Sequence, residues 1–379
     1  MALTPDDETR LREALALAEQ GFGLTDPNPR VGCVIADAQG RVIGRGHTQR
    51  AGQAHAEVMA LRDLRARGAD PRGGTAWVTL EPCAHHGRTP PCCDALIEAG
   101  LSRVVVAVQD PFEAVAGRGL QRLRDAGLQV ELAGGAIEAA AREINCGFFS
   151  RIERGRPWVR LKMAASIDGF TALPDGRSQW ITGPQARADG HAWRRRAGAV
   201  LTGIGTVLAD DPRLDVRHVP SVLQPLRVVV DSHGRTPATA RLLAPPGEVL
   251  LVHATPVKAG FPAPRLVLPG AGGRVDLQAL LPALAARGIN ELLVEAGPTL
   301  AGEWLRTGAV DEVLLYMAPR WFGQGRPLAL RPPLDELSAP PAWRFVDATP
   351  LGHDLRVRMQ PVTSDSFTTQ APPHPRDRA

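Results

Sequence analysis

Four side chains constrain the fold of this chain more than any others: His55, Glu57, Cys83 and Cys92. An imidazole and two thiolates suit Zn²⁺, and three protein ligands leave one tetrahedral position open for water. Water bound to zinc loses its proton near neutral pH. Glu57 offers a carboxylate that can move protons without binding the metal. The sequence therefore predicts a fold that brings these four distant side chains together.

The local sequence predicts where the ligands lie in secondary structure. An apolar stripe in the segment 56–66 predicts a helix with His55 at its start. The segment 76–80 is typical of a short buried strand that ends just before Cys83. A second helix is predicted to begin at Cys92, because two prolines precede it. Thiolates at a strand end and at a helix start can reach one metal ion.

The ligand set is not unique at this level. Cys93 competes with Cys92, and the eight residues between Cys83 and Cys92 contain two further nitrogen ligands, His85 and His86. A histidine in the fourth position would make a closed structural zinc site. A closed site has no use for the carboxylate of Glu57, which favours the open arrangement.

Length and composition favour a soluble globular protein with more than one domain. The chain has 379 residues, of which 44% are hydrophobic. A net charge of +4 and only 4% aromatic residues argue against a nucleic-acid surface. The five cysteines, an odd and clustered set, indicate metal binding rather than a disulfide framework. Residues 1–12 are polar and no segment is apolar enough to span a membrane, so we expect a cytoplasmic protein.

Strands alternate with helices along the chain, which predicts an α/β fold in two units. The first unit, residues 1–148, is predicted to be a three-layer sandwich. Residues 149–157 are interpreted as an interdomain linker, and a second α/β unit is predicted over residues 158–362. The tail, residues 363–379, is expected to be disordered because it is rich in Ser, Thr and Pro and has no apolar period.

Two glycine-containing turns follow predicted strands in the second unit. They are Gly203-Ile204-Gly205-Thr206 and, after Glu295, Gly297-Pro298-Thr299. Such turns can bind phosphate through backbone N–H groups at the start of a helix, although a purely structural role is also open. The first turn lacks the third glycine of the dinucleotide fingerprint, because residue 208 is Leu. The sequence therefore argues against a standard Rossmann domain.

Longer motifs resemble a known family, the bifunctional RibD proteins of riboflavin biosynthesis. Five segments resemble the deaminase half of that family: residues 25–32 (TDPNPRVG), Gly46-His47, Ala51-Gly52, His55-Ala56-Glu57 and residues 81–92 (EPCAHHGRTPPC). Five further segments resemble the reductase half: residues 161–169, 178–183 and 205–214, Val230-Asp231-Ser232 and the turn after Glu295. These motifs occur in order over nearly the whole chain except the tail.

The resemblance implies a cytidine-deaminase-like three-layer α/β/α domain followed by a dihydrofolate-reductase-like α/β domain. The implied first reaction is zinc-dependent deamination of 2,5-diamino-6-(5-phosphoribosylamino)pyrimidin-4(3H)-one. The implied second reaction is NADPH-dependent reduction of the ribosyl group of 5-amino-6-(5-phosphoribosylamino)uracil to ribityl. A homo-oligomer, and NADPH rather than NADH, are implied by the resemblance alone.

The resemblance also implies roles for individual residues. In the deaminase half, His55, Cys83 and Cys92 would bind zinc, Glu57 would shuttle protons, and Asn28 would hold the pyrimidine amide. Arg88, with the two neighbouring histidines, suits a substrate phosphate. In the reductase half, NADPH contacts are expected from Ala164, Trp180, Thr206, Asp210, Ser232, Gly297, Pro298 and Thr299. Substrate contacts are expected from Ser178, Arg194, Leu214, Arg217 and Glu295.

Some of these assignments compete with different roles. Arg194 and Arg217 can bind phosphate with two parallel hydrogen bonds, although Arg194 without the resemblance is typical of a solvated helix face. The general acid of the reductase has three candidates, Lys162, Asp210 and Glu295, for which structural roles are equally open. Ala296 stands where the family usually has glycine. Alanine tolerates a positive φ less well than glycine, so it is open whether the backbone approaches a pyrophosphate as closely here.

Two other functions compete. A nucleic-acid deaminase of the tRNA-editing type would need a basic, aromatic surface and would leave the residues beyond 150 unexplained. A non-enzymatic zinc-stabilised binding protein would unfold on chelation and would catalyse nothing.

Overall fold

The first half of the chain forms a five-stranded sheet between two layers of helices. The computed structural model describes residues 3–84, 90–112, 116–257, 263–333 and 342–362. The elements of this half are α1 (Pro5–Ala18), β1 (Gly32–Ala36), β2 (Val42–His47), α2 (Ala56–Ala66), β3 (Thr75–Val78), α3 (Cys92–Glu98), β4 (Arg103–Val106), α4 (Arg118–Asp125), β5 (Gln129–Leu132) and α5 (Gly135–Ile144). The strand order is β2-β1-β3-β4-β5, with β1 antiparallel to both neighbours and β3, β4 and β5 parallel.

The second half forms a nine-stranded sheet and a small two-stranded one. Its elements are α6 (Cys146–Arg154), β6 (Trp158–Ser166), β7 (Phe170–Ala172), α7 (Pro184–Arg196), β8 (Ala199–Gly203), α8 (Ile204–Asp210), β9 (Leu226–Val230), β10 (Val249–His253), β11 (Arg265–Val267), α9 (Leu277–Ala285), β12 (Glu291–Glu295), α10 (Pro298–Arg306), β13 (Glu312–Ala318), β14 (Arg326–Pro327), β15 (Trp343–Leu351) and β16 (Asp354–Pro361).

The strands of the large sheet are ordered β11-β10-β9-β8-β12-β6-β13-β16-β15. The first seven strands of that order run parallel, and β16 runs antiparallel to both of its neighbours. Parallel strands are covered on both faces, which explains why β10 is apolar at four of its five positions and buried at all five. The predicted α/β class and the two-unit organisation are thus present.

A glycine in β2 lets the helix that carries His55 and Glu57 lie directly on the first sheet. A Cβ atom added to Gly46 would lie 2.4 Å from the carbonyl oxygen of Ala56, at the first turn of α2. No side chain fits there, so α2 approaches the strand backbone closely at the residues that matter for the site.

The predicted linker, residues 149–157, is mostly helix. Helix α6 buries Phe148 and Phe149 and ends at Gly155, which adopts a left-handed conformation. The sequence did not predict α6 because Arg151, Glu153 and Arg154, followed by Gly155, are typical of a charged linker. Strands β7, β14 and β16 and helix α8 were also not predicted. The tail, residues 363–379, lies outside the described residues. None of the described helices is both long enough and apolar enough to cross a membrane.

A buried carboxylate joins the two halves. Glu291, the first residue of β12, is fully buried and accepts hydrogen bonds from the guanidinium groups of Arg30, Arg160 and Arg196. Arg30 precedes β1 in the first half, whereas Arg160 lies on β6 in the second. Burial alone would raise the pKa of Glu291, but the three guanidinium groups hold it well below its usual range. Glu291 therefore stays ionised and is the common acceptor for cations from both halves.

Removing this charge should destabilise the whole protein. We expect Glu291→Gln to lower the free energy of unfolding by about 3–5 kcal/mol, because it removes the buried carboxylate that Arg30, Arg160 and Arg196 share. Denaturant unfolding monitored by circular dichroism measures the effect. The control is Glu303→Gln, which removes a more exposed partner of Arg306 and should change stability by less than about 1 kcal/mol. Equal stability of the two variants would contradict the central role of Glu291.

Candidate metal centre and a second site in the larger sheet

Three metal-binding side chains converge in the first half. The ligand atoms of His55, Cys83 and Cys92 all lie within 4.8 Å of one another. The Nδ1 atom of His55 is 3.3 Å from Sγ of Cys92 and 3.7 Å from Sγ of Cys83. His55 precedes the first residue of α2, Cys83 follows β3, and Cys92 begins α3, as the sequence predicts. One nitrogen and two sulphur ligands at this separation fit a single Zn²⁺ ion with an open position.

The structure distinguishes the adjacent cysteines. The thiol of Cys93 is buried and donates to the carbonyl oxygens of Pro82 (3.2 Å) and Gly119 (3.5 Å), so it points away from His55. The backbone N–H of Cys92 donates to Sγ of Cys83 at 3.4 Å, which places the two ligand loops against each other. This geometry favours Cys92 as the ligand. The two histidines that could supply a further nitrogen ligand, residues 85 and 86, lie outside the described residues.

Glu57 lies beside the three ligands in the first turn of α2. It is only 3% exposed. Burial raises the pKa of Glu57 to about 7, and the nearby Cys83 contributes to the rise. A carboxyl group that titrates near neutrality can both accept and release a proton during a reaction.

A cavity of about 540 Å³ opens over these residues. His55, Glu57 and Cys83 line it together with Asn28, so the structure brings the side chain predicted to bind the substrate to the same cavity as two of the metal ligands. The loop of Asn28 is fixed locally, because its N–H donates to the carbonyl oxygen of Thr25 at 3.0 Å. Arg88, predicted to contact a phosphate, lies outside the described residues.

Helix α6 forms part of the wall of this cavity, which the sequence did not predict. Phe148, Arg151 and Ile152 line the cavity. The supposed linker therefore contributes to the site as well as connecting the halves. The sequence does carry a signal for this helix, because Phe148, Phe149 and Ile152 stand at helical spacing.

Glu81 has a structural role that the motif did not reveal. Its carboxylate accepts hydrogen bonds from the backbone N–H groups of Gly119 (2.8 Å), Gly117 (3.0 Å), Leu120 (3.2 Å) and Asp110 (3.2 Å). Three of these groups belong to the start of α4, where free N–H groups favour a negative charge. Glu81 thereby fixes the loop that presents Cys83.

A second group of predicted residues lies along one edge of the large sheet. Strands β9, β8, β12 and β6 are parallel neighbours, so residues that follow them share the carboxyl edge of the sheet. Ser232 follows β9, Thr206 follows the end of β8, and Gly297 follows β12, while Ala164 lies near the end of β6. The structure thus brings together the glycine turns of the second half.

The two turns face each other. A Cβ atom added to Gly297 would lie 3.8 Å from Oγ1 of Thr206. Gly297 begins α10 without a side-chain cap, followed by Pro298 and Thr299, so backbone N–H groups there are available for a phosphate. Ala296 is compatible with this approach, because the described non-glycine residues with positive φ are Asp211 and Leu214. The arrangement fits a phosphate-bearing cofactor.

The two remaining predicted cofactor residues are exposed. Trp180 is 59% exposed, and the guanidinium of Arg187 lies 4.6 Å from its ring centre. Asp210 is the last residue of α8. Their contacts with a cofactor stay predictions.

The predicted substrate residues Arg194 and Glu295 form a bidentate ion pair. Nε and Nη2 of Arg194 donate to Glu295 at 2.6 and 2.8 Å, and Nη1 donates to the carbonyl oxygen of Asp215 at 3.0 Å. Burial alone would raise the pKa of Glu295, but Arg194 lowers it to about 2. The expected bidentate binding of phosphate by Arg194 would therefore have to displace a carboxylate.

The other predicted substrate residues differ in exposure and in their partners. Arg217 is exposed and donates to the side chain of Asp215 at 2.7 Å. Leu214 is buried with a φ of 55°, and Ser178 is half-buried in the segment before α7. Lys162 is paired with Glu295 across β6 and β12, and burial lowers the pKa of its amino group. Of the three general-acid candidates, Lys162 and Glu295 are thus neighbours.

Known protein families match both halves. The family profile described as the cytidine and deoxycytidylate deaminase zinc-binding region matches residues 4–108, and the profile described as the RibD C-terminal domain matches residues 157–357. The chain is 44% identical over 364 residues to the riboflavin biosynthesis protein RibD of Escherichia coli K12, covering 92% of this chain and 98% of that protein.

Solved structures are similar over the same length. The structure of Acinetobacter baumannii RibD is 41% identical with a TM-score of 0.85, and the match covers 94% of this chain and 99% of that one. A diaminohydroxyphosphoribosylaminopyrimidine deaminase/5-amino-6-(5-phosphoribosylamino)uracil reductase from Thermotoga maritima is 32% identical with a TM-score of 0.83 and the same coverage, 94% and 99%.

The adjacent cysteines offer a matched test of the metal centre. We expect Cys92→Ser to reduce bound zinc from about one ion per chain to nearly none, because a serine hydroxyl is a poor zinc ligand. Cys93→Ser should retain the metal, since its thiol points away from His55. Metal analysis of the purified, folded variants measures both. Zinc loss in Cys93→Ser with retention in Cys92→Ser would reverse the assignment.

Proposed function

Because this chain belongs to the RibD family of bifunctional deaminases and reductases in riboflavin biosynthesis, we propose that it catalyses two consecutive reactions on a phosphorylated pyrimidine. The first is hydrolytic deamination of 2,5-diamino-6-(5-phosphoribosylamino)pyrimidin-4(3H)-one. The second is reduction of the ribosyl group of the resulting 5-amino-6-(5-phosphoribosylamino)uracil to ribityl. The substrates are those in the name of the Thermotoga maritima relative.

The deaminase proposal is supported above all by one cavity that is lined by Glu57, Asn28 and two of the proposed metal ligands, His55 and Cys83. Zinc, when bound by His55, Cys83 and Cys92, supplies a Lewis acid that activates water. Asn28 has an amide donor and acceptor, which complement the amide edge of a pyrimidine. The carboxyl group of Glu57 takes the proton from the attacking water and returns it to the departing amine, so that ammonia leaves.

The domain assignment follows the same division. We assign residues 1–148 to the deaminase and residues 158–362 to the reductase, with residues 149–157 between them. The family profiles support this, since one ends at residue 108 and the other begins at residue 157. Helix α6 belongs to the connection by chain order, although its side chains also line the deaminase cavity.

The reductase proposal rests on the carboxyl edge of β9, β8, β12 and β6. NADPH supplies the hydride when bound there. The N–H groups at the start of α10 would hold its pyrophosphate, with Thr206 and Ser232 on the neighbouring turns. Glu295, ionised and held by Arg194, offers acceptors for the ribose hydroxyls, and Lys162 lies opposite it as a donor.

Two further features of the proposal are supported by the family or by chemistry. The partner is a small pyrimidine, and a homo-oligomer is proposed from the family. A cytoplasmic location is proposed because all five cysteines are free thiols, as in reducing compartments. The alternative function as a tRNA-editing deaminase does not explain the reductase-like half. The alternative function as a zinc-stabilised binding protein does not explain the buried carboxyl group of Glu57.

The role of Glu57 can be tested directly. Glu57→Gln should fold and retain zinc, because Glu57 is not a ligand, yet ammonia release from the diaminopyrimidine should fall by about 10²–10⁴-fold without the proton carrier. A coupled ammonia assay measures this, and metal analysis and circular dichroism serve as controls. Ammonia release within a few-fold of the wild type would exclude this role for Glu57.

The reductase can be tested in the same chain. Supplied with the deaminated pyrimidine, the wild type should oxidise NADPH. The decrease in the near-ultraviolet absorbance of NADPH measures this reaction. Glu295→Gln should lower kcat/KM for this step by about 10–100-fold, because it breaks a buried charge-assisted pair with Arg194. Ammonia release by the same variant should be unchanged. An unaltered reductase rate would remove Glu295 from the site.

A further inference from the structure

The loop that presents Asn28 to the deaminase cavity rests on the reductase half. Pro27, Asn28 and Pro29 line the cavity. Behind them lies Asn290, the residue that precedes β12 in the second sheet. Its Nδ2 group donates to Oδ1 of Asp26 at 2.7 Å and to the carbonyl oxygen of Pro27 at 3.1 Å.

The same amide also orients a cation in the cavity wall. Oδ1 of Asn290 accepts from Nε of Arg151 at 2.7 Å, and Nη2 of Arg151 donates to the carbonyl oxygen of Pro27 at 3.1 Å. Arg151 lines the cavity from α6. Asn290 is 2% exposed, so its amide serves protein groups rather than solvent.

The surrounding packing leaves the loop little freedom. A Cβ atom added to Gly288 would lie 2.9 Å from Cβ of Pro27, so the turn before β12 touches the loop directly. At the far end of the loop, the guanidinium of Arg30 is bound by Glu291. The residues 288–291 thus contact the loop at both of its ends.

We propose that Asn290 is a positioning residue of the deaminase: it holds the loop of Asn28 and the guanidinium of Arg151 in the geometry that binds the pyrimidine substrate. The inference rests on the proposed deaminase function of the cavity. The side-chain hydrogen bonds of Asn290 reach that loop and Arg151, whereas the zinc ligands and Glu57 belong to α2, α3 and the segment after β3. Glu295 lies at the opposite end of β12, roughly 16 Å away at the rise of an extended strand. Asn290 should therefore affect deaminase substrate binding and neither zinc nor reduction.

The test is Asn290→Asp in the full-length enzyme. The new carboxylate would face Asp26 and the carbonyl oxygen of Pro27, acceptor against acceptor, while keeping its bond from Arg151. We expect KM for deamination to rise by about tenfold, with kcat within about twofold, since two buried hydrogen bonds are lost at the loop. Zinc content and kcat/KM for the reductase step should be unchanged.

A reciprocal exchange provides the rescue. In Asp26→Asn/Asn290→Asp the donor and acceptor trade places, so the bond between residues 26 and 290 is restored and KM should return to within about threefold of the wild type. Ile289→Val, next to Asn290 but without a bond to the loop, is the control for general disturbance of the turn. Asn290→Ser replaces Asn290→Asp if the latter does not fold.

The outcomes separate two failures. An unchanged deaminase KM in folded Asn290→Asp or Asn290→Ser overturns the positioning role, as does an equal loss in the reductase step or no recovery in the exchange variant. If the wild type itself releases no ammonia while holding zinc, the proposed deaminase function fails instead.

Discussion

The ionised Glu291 is the interaction on which the arrangement of both halves depends. A carboxylate without exposure is tolerable only because guanidinium groups from β6, α7 and the first half surround it. Arg160 also donates to Glu312 at 3.0 Å, which extends the network to β13. The two halves are therefore joined by ionic hydrogen bonds, and residues at the start of β12 contact the loop that precedes β1.

Much of the candidate metal centre could be predicted from the sequence because its determinants are local. His55 precedes a helix whose apolar stripe is visible, and Cys83 and Cys92 flank a strand end and a helix start that proline marks. Strand and helix order indicated the α/β class for the same reason. The residues alone left Cys92 and Cys93 open and the family resemblance named Cys92; the structure adds a physical reason, because the thiol of Cys93 points to the carbonyl oxygen of Pro82.

The remaining features depend on contacts between distant segments. Nothing near Glu81 in the sequence indicates that its carboxylate binds the start of α4, and nothing near Arg194 indicates that Glu295 occupies its guanidinium. Helix α6 was not predicted because its charged second half is typical of a linker, although Phe148, Phe149 and Ile152 have helical spacing; these three residues pack in the core of the first half, and the helix also contacts β6 and β12. Charged side chains are ambiguous in sequence for this physical reason: whether they face solvent, substrate or an opposite charge is decided by tertiary structure.

Helix α6 both connects the two halves and lines the cavity of the first, and this limits where the sequences of two relatives can be joined. Its position in the chain suggests a boundary between two domains. Phe148, Arg151 and Ile152 nevertheless line the cavity of the first half, while the helix leads into the second sheet. A chimera of two relatives joined at this boundary would take one wall of the cavity from one parent and the metal ligands from the other. The unit that is transferable between relatives is consequently larger than the first sheet: it includes α6 and the turn that begins β12.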